Sequence, residues 1–122
     1  MSITFEKESE NLFVIRVKGI LTFNDQKEFE NRVSTQIDRD RKVKMLVLAE
    51  LFSGWDKEGD WGDLTFMNEY DPYIDKIAVV ADEWWQDQIL MFVGAGMRAA
   101  QVMFFPTGEE EKARDWLQSE NE

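Results

Sequence analysis

The chain has 122 residues, 43% of them apolar, with 25 acidic against 14 basic side chains, and neither histidine nor cysteine. That length bounds a single domain over residues 1–122, with enough apolar material for a core. The net charge of −11 argues against nucleic acid as a partner and against electrostatic attachment to anionic headgroups, since both need clustered Lys and Arg. The missing residue types exclude disulfides, Cys/His zinc sites, cysteine nucleophiles, Ser-His-Asp triads and histidine acid–base chemistry.

Ile3, Phe5 and Lys7 alternate with Thr4, Glu6 and Glu8, which predicts a short half-buried strand. After a polar turn over residues 8–11, Leu12 to Val17 predicts a second strand, paired with the first as a hairpin and ended by Gly19. Thr22 is placed as a helix N-cap, with Asp25 three residues on in a capping-box-like arrangement. Phe29, Val33 and Ile37 supply one apolar face, and the charged segment 38–42 ends that helix. Val43 to Leu51 predicts a central strand, and residues 52–63 a loop rich in glycine, aromatics and acids. Leu64 to Tyr70 predicts a short helix stopped by Asp71-Pro72, and Lys76 to Ala81 a short apolar strand. Residues 83–93 predict a helix whose end Gly94 and Gly96 weaken. Val102 to Phe105 predicts the last strand. Thr107 and Glu110 then form a capping box for a final helix with Ala113, Trp116 and Leu117 inward. The order β-β-α-β-α-β-α-β-α predicts an α/β fold with a mostly parallel five-stranded sheet and an antiparallel N-terminal strand.

These phrases carry a resemblance. The hairpin followed by RVKGILTFNDQKEFENRV, the strands VKMLVLAEL and KIAVVADEWW, and the ending VMFFPTGEEEKARDWL resemble the SpoIIAA-like fold. That fold is shared by the STAS domains of anti-sigma-factor antagonists and sulfate transporters. The chain looks most like small stand-alone bacterial domains of this kind, whose similarity to CRAL-TRIO lipid carriers implies an apolar ligand. The STAS side of the resemblance implies a protein–protein regulatory module. Anti-sigma-factor antagonists carry Asp-Ser-Ser-Gly after the third strand, with the second serine phosphorylated. Here the place reads Leu51-Phe52-Ser53-Gly54: Ser53-Gly54 survives, so Ser53 is the one residue the resemblance marks as regulatory, while Leu51 and Phe52 replace the Asp and the first Ser.

The residues themselves point to one aromatic region. The run Ile89 to Met97 holds no polar side chain, and Trp84 and Trp85 stand just before it. A helix apolar on every side must be buried on every side or must touch something else apolar. The candidate ligand-binding set is Phe52, Trp55, Trp61, Phe66, Trp84, Trp85, Ile89, Phe92 and Met97. Three readings stay open for these aromatics: ordinary core, contact with a ligand or membrane, and a homodimer interface. In the second, an apolar or lipid-like molecule lies between helix 83–93, helix 64–70 and the sheet. Trp84 and Trp85 then anchor transiently at a membrane interface, and Met91, Phe92 and Met97 line the site.

Other chemistries are weaker. The loop Asp56-Lys57-Glu58-Gly59-Asp60-Trp61-Gly62-Asp63 is acidic, but a calcium loop wants Gly sixth and Glu twelfth, where Trp61 and Met67 stand. Gly94-Ala95-Gly96 opens no helix after a strand, so no nucleotide fingerprint is present. No carboxylate pair is singled out for acid catalysis. No metal, no cofactor and no enzymatic activity are therefore expected. The N-terminal MSITFEKESENL has no basic segment followed by an apolar one, and the apolar run 89–97 is too short to span a bilayer. A cytoplasmic protein, in the lipid-binding reading peripheral to the inner membrane, is the expectation.

Overall fold

The structure is a computed structural model that describes residues 3–9, 11–37, 42–58, 71–92 and 100–119. Five strands form one sheet: β1 (Ile3–Ser9), β2 (Leu12–Leu21), β3 (Val43–Trp55), β4 (Ile74–Ala81) and β5 (Gln101–Pro106). Their spatial order is their chain order, β1-β2-β3-β4-β5. β1 pairs antiparallel with β2, and every later pairing is parallel. Three described helices complete the fold: α1 (Phe23–Gln36), α2 (Gln86–Phe92) and α3 (Glu110–Gln118). Among the described residues no helix is long and apolar enough to cross a membrane.

A strand order that never reverses has a geometric result. Right-handed crossovers that always step in one direction lay their helices on one face of the sheet. Side chains from α1 and α2, including Val33 and Ile89, pack into one cluster with Phe13, Ile15, Met45, Ile77 and Val79. The alternate residues of the same strands, Leu12, Val14, Leu46, Ala78 and Val80, face the other way. There α3 covers them with Ala113 and Leu117.

The N-cap of α1 forms as expected, with the Asp25 N–H donating to Thr22 Oγ1 at 3.1 Å. Phe29 packs on Phe5 with ring centroids 6.3 Å apart, which seats α1 against the hairpin. In β1 only the first residues face inward, and Lys7, expected on the half-buried side, is exposed.

Five further expectations are corrected. β2 does not stop at Gly19. The strand continues to Leu21, and Gly19 takes φ +70° at an irregular stretch of the β2–β3 ladder. Residues 52–55 are strand rather than loop: β3 runs on to Trp55, paired with Leu21, and the Asp56 N–H donates to the Leu21 carbonyl at 2.9 Å. The expected helix 83–93 begins as a 3-10 turn over Glu83–Trp85, where the Asp82 carboxylate accepts the Trp84 N–H, and becomes α-helical only from Gln86. The Thr107–Glu110 capping box does not form. Gly108 at φ +93° turns the chain, its N–H donating to Glu50 Oε2 at 2.9 Å, and Glu109 takes the cap position without a side-chain bond. Trp116, placed on the inward stripe of α3, is only half-buried. The expected helix 64–70, Gly94 and Gly96 lie outside the described residues.

Lys76 is 2% exposed, the one buried charged side chain among the described residues. Its Nζ donates to the Trp116 carbonyl, the Ser119 carbonyl and Ser119 Oγ, each at 3.0 Å. The same nitrogen lies 4.9 Å from the centre of a Trp116 ring. A strand lysine thus holds the last carbonyls of α3, where the helix dipole favours a cation.

Candidate functional site

The aromatic residues gather where β3 ends and β4 gives way to the 3-10 turn. Gly54, at φ +120°, brings the β3 backbone close beneath Trp85; a Cβ there would sit 3.2 Å from Trp85 Cη2. Around that contact Phe52, Trp55 and Trp85 pack edge to face, and Phe92 meets Trp55 at a tilt. Phe52 lies 4.8 Å from Trp55 and 5.1 Å from Trp85, centroid to centroid. Trp55 lies 6.1 Å from Trp85 and 5.2 Å from Phe92. Edge-to-face pairs of this kind add about 0.5–1.5 kcal/mol each beyond burial alone. Phe52 is 7% exposed and Ile89 5%, so these two belong to the core.

The structure therefore brings together Phe52, Trp55, Trp85, Ile89 and Phe92 from the sequence-predicted set. Trp61, Phe66 and Met97 lie outside the described residues. Trp84 is separated from its neighbour. Trp85 packs inward, while Trp84 points outward and is 77% exposed. The two tryptophans cannot act as a matched pair of anchors, because consecutive residues of any helical turn point about 100–120° apart. Met91, seven residues on from Trp84 and so on the same side by helical spacing, is 81% exposed.

One polar atom in the cluster has no match. Trp55 Nε1 is buried and donates to no acceptor among the described residues. A buried donor without a partner costs about 1–3 kcal/mol.

The electrostatics of this end are one-sided. Asp82, Glu83 and Asp87 are all exposed, and residues 82–92 contain no Lys or Arg. The ion pairs of the described residues lie elsewhere: Arg16 with Glu6, Lys27 with Glu30, Lys112 with Glu109, and Arg114 with both Glu8 and Glu110. Ser53 is exposed within β3, two residues before the strand ends. A separate shallow groove is lined by Arg16, Val17, Lys18, Leu48, Glu50, Leu51 and Glu110, none of them in the predicted set.

Sequence reasoning did not single out Asp82, Glu83 and Asp87. Their signal was available, as three acids flanking an aromatic pair with no compensating base, but 25 acids in the chain hide any local group of three.

The family model described as SpoIIAA-like matches residues 12–118. The chain belongs to the SpoIIAA-like family. Solved structures agree with this at the level of fold. An uncharacterized protein of the DUF3478 family with a SpoIIAA-like fold, from Shewanella loihica PV-4, superposes with a TM-score of 0.72. It is 16% identical, over 94% of this chain and 91% of that one. The anti-sigma factor antagonist SpoIIAA in its unphosphorylated form gives a TM-score of 0.62 at 20% identity, over 97% of this chain and 99% of that one. The Bacillus cell fate determinant SpoIIAA in its phosphorylated form gives 0.61 at 20% identity, over 93% and 98%. No curated protein matches the sequence. At these identities the likeness is one of fold, and what this SpoIIAA-like chain binds has to be argued from its own surface.

Proposed function

We propose that this SpoIIAA-like chain is a non-catalytic module that regulates by binding another protein. The observation that carries this reading is the division of the aromatic set. Phe52, Trp55 and Trp85 fill one another's surroundings, while Trp84 and Met91 project outward from a helix face. Aromatic and methionine side chains that stand exposed on an outer face suit a protein interface better than the lining of a ligand cleft. Topology supports the same view. Open α/β sheets hold small ligands in the crevice where strand order reverses, and the order β1-β2-β3-β4-β5 contains no reversal. A relative by fold is named for antagonising an anti-sigma factor, and another of its structures for its phosphorylated form. The exposure of Ser53 leaves its hydroxyl open to modification.

The test is capture followed by reconstitution. A photo-crosslinking residue at exposed Lys57, close to Ser53 in sequence, is expected to join one protein in source cells. That protein is then expected to bind the purified chain in a defined stoichiometry. Ser53→Ala keeps the complex, and Ser53→Asp weakens it at least tenfold if the serine is a switch. A purified chain that carries a small apolar molecule in native mass spectrometry, and forms no protein complex, would count against the proposal.

That last outcome belongs to a second reading, an apolar or lipid-like ligand, which the unmatched Trp55 Nε1 favours. A ligand entering the aromatic cluster with one carbonyl or carboxylate oxygen would supply the acceptor that this indole lacks. Replacing Trp55 with Phe removes the donor and keeps most of the ring. In that reading it weakens ligand retention; in the regulatory reading it leaves the protein complex unchanged.

A further inference from the structure

We infer that the outward face of the 3-10 turn and α2 docks a basic, amphipathic protein segment. This rests on the protein-binding reading above and adds the chemistry of the partner. Trp84 and Met91 are seven residues apart, about two helical turns, and are the two most exposed large apolar side chains among the described residues, at 77% and 81%. Between and before them stand Asp82, Glu83 and Asp87. Among the described residues none of these three carboxylates pairs with a Lys or Arg. Among the described residues the surface is therefore a pair of apolar contacts set in negative charge that no ion pair neutralises.

Charge decides between the occupants. A second copy of this chain in a two-fold contact would set the same carboxylates against each other, and each copy already carries −11. An anionic bilayer is repelled for the same reason. A segment with Leu, Met or aromatic residues on one face and Lys or Arg beside them meets both features at once. Its apolar residues cover Trp84 and Met91. Its cations neutralise Asp82, Glu83 and Asp87, and the indole face of Trp84 attracts a cation more strongly than any other ring does. The Asp82 carboxylate keeps its bond to the Trp84 N–H through Oδ1 at 2.9 Å, so its second oxygen can accept from the partner.

The experiment uses the full chain and two fluorescent helical peptides of equal length and identical apolar face. One has Lys and Arg on its polar face, the other Gln. Anisotropy at near-physiological salt is expected to show the basic peptide binding at least tenfold more tightly than the neutral one. Trp84→Ser and Met91→Ser each weaken it at least fivefold, and Asp87→Lys weakens it as much without touching an apolar group. Ile20→Ser, which removes an exposed apolar side chain from β2, and Asp115→Asn, which removes an exposed acid from α3, leave binding unchanged. Thermal melts confirm that the surface variants stay folded.

Binding that survives Trp84→Ser, or falls equally with Asp115→Asn, overturns the inference, because the attraction is then mere net charge. Equal binding of the neutral peptide, or of neither peptide, also overturns it, as does Trp84-dependent binding to zwitterionic vesicles. If the partner captured at Lys57 keeps its affinity for Trp84→Ser, this inference fails and the regulatory reading stands. If nothing is captured at Lys57, the regulatory reading fails with it.

Discussion

Replacing Lys76 with Met tests how α3 is held to the sheet. Met keeps most of the stem volume and removes all three donors. Hydrogen bonds to a charged group contribute about 1.5–3 kcal/mol each, so three amount to roughly 5–9 kcal/mol before costs. Taking an ammonium out of water costs several kcal/mol. The Trp116 carbonyl also keeps the Ser119 hydroxyl, at 2.6 Å, as a donor in the variant. The expected net loss is then about 2–3 kcal/mol, with the Ser119 carbonyl bearing most of the unmet demand. For a chain of 122 residues this lowers the melting temperature by roughly 10 °C. Chemical denaturation gives the free energy. Amide exchange locates it, with faster exchange expected along α3 and little change in β3. A Lys76→Met variant as stable as the parent, or more so, would refute the reasoning: desolvation would then equal or exceed the three bonds.

Trp84→Ala is expected to change stability by less than about 0.5 kcal/mol, while Trp85→Ala costs about 2–4 kcal/mol, because its ring packs on Phe52, Trp55 and Gly54; equal effects in denaturant titrations would contradict the separation of the pair. Gly54→Ala forces a side chain into φ +120° and against Trp85, and is expected to cost about 1–3 kcal/mol with a shift in tryptophan emission. The hydrogen bond from Arg114 holds the Glu8 carboxyl below its ordinary range, slight burial opposes this, and the charges of Arg114 and Arg16 add to the lowering. A depressed folded-state pKa stabilises above the unfolded value and is lost as pH falls through the folded value. Glu8→Gln should therefore be less stable than the parent at pH 7, by under about 1 kcal/mol for so exposed a pair. The two should converge in acid melts once pH has fallen through the depressed folded-state value of Glu8.

The element order was legible because periodicity is local. The cap at Thr22 is a contact made within three residues, and the apolar runs at Val43 and Lys76 carry their burial in their own composition even though their partners lie far along the chain. β3 was cut short because residues 52–63 read as a loop rich in glycine, aromatics and acids, and it is pairing with β2 that keeps residues 52–55 extended. Helical geometry already separates Trp84 from Trp85 by about 100–120°, but which of two adjacent, identical rings meets the core is not written in their sequence. Thr107 had the right spacing for a cap, but Gly108 diverts the backbone before the cap can close. Lys76 read as the polar start of a strand, since its acceptors lie 40 and 43 residues away. Of the candidate site, the aromatic composition was readable. Which rings face in and which face out depends on the meeting of β3 with the 3-10 turn, and adjacent residues in a sequence carry no such information.

The placement of α3 also bears on how the chain is made. A ribosome releases β2, β3, β4 and β5 in the order in which they pair, so each new strand finds its neighbour already waiting. The face bearing Leu12, Val14, Leu46, Ala78 and Val80 gains nothing from this convenience. Its cover among the described elements is a nine-residue helix at Glu110–Gln118, made after all the strands beneath it. Throughout synthesis an apolar strip stays open to chaperones or to neighbouring nascent chains. A helix made after every strand it covers is thus the latch that closes this face of the sheet.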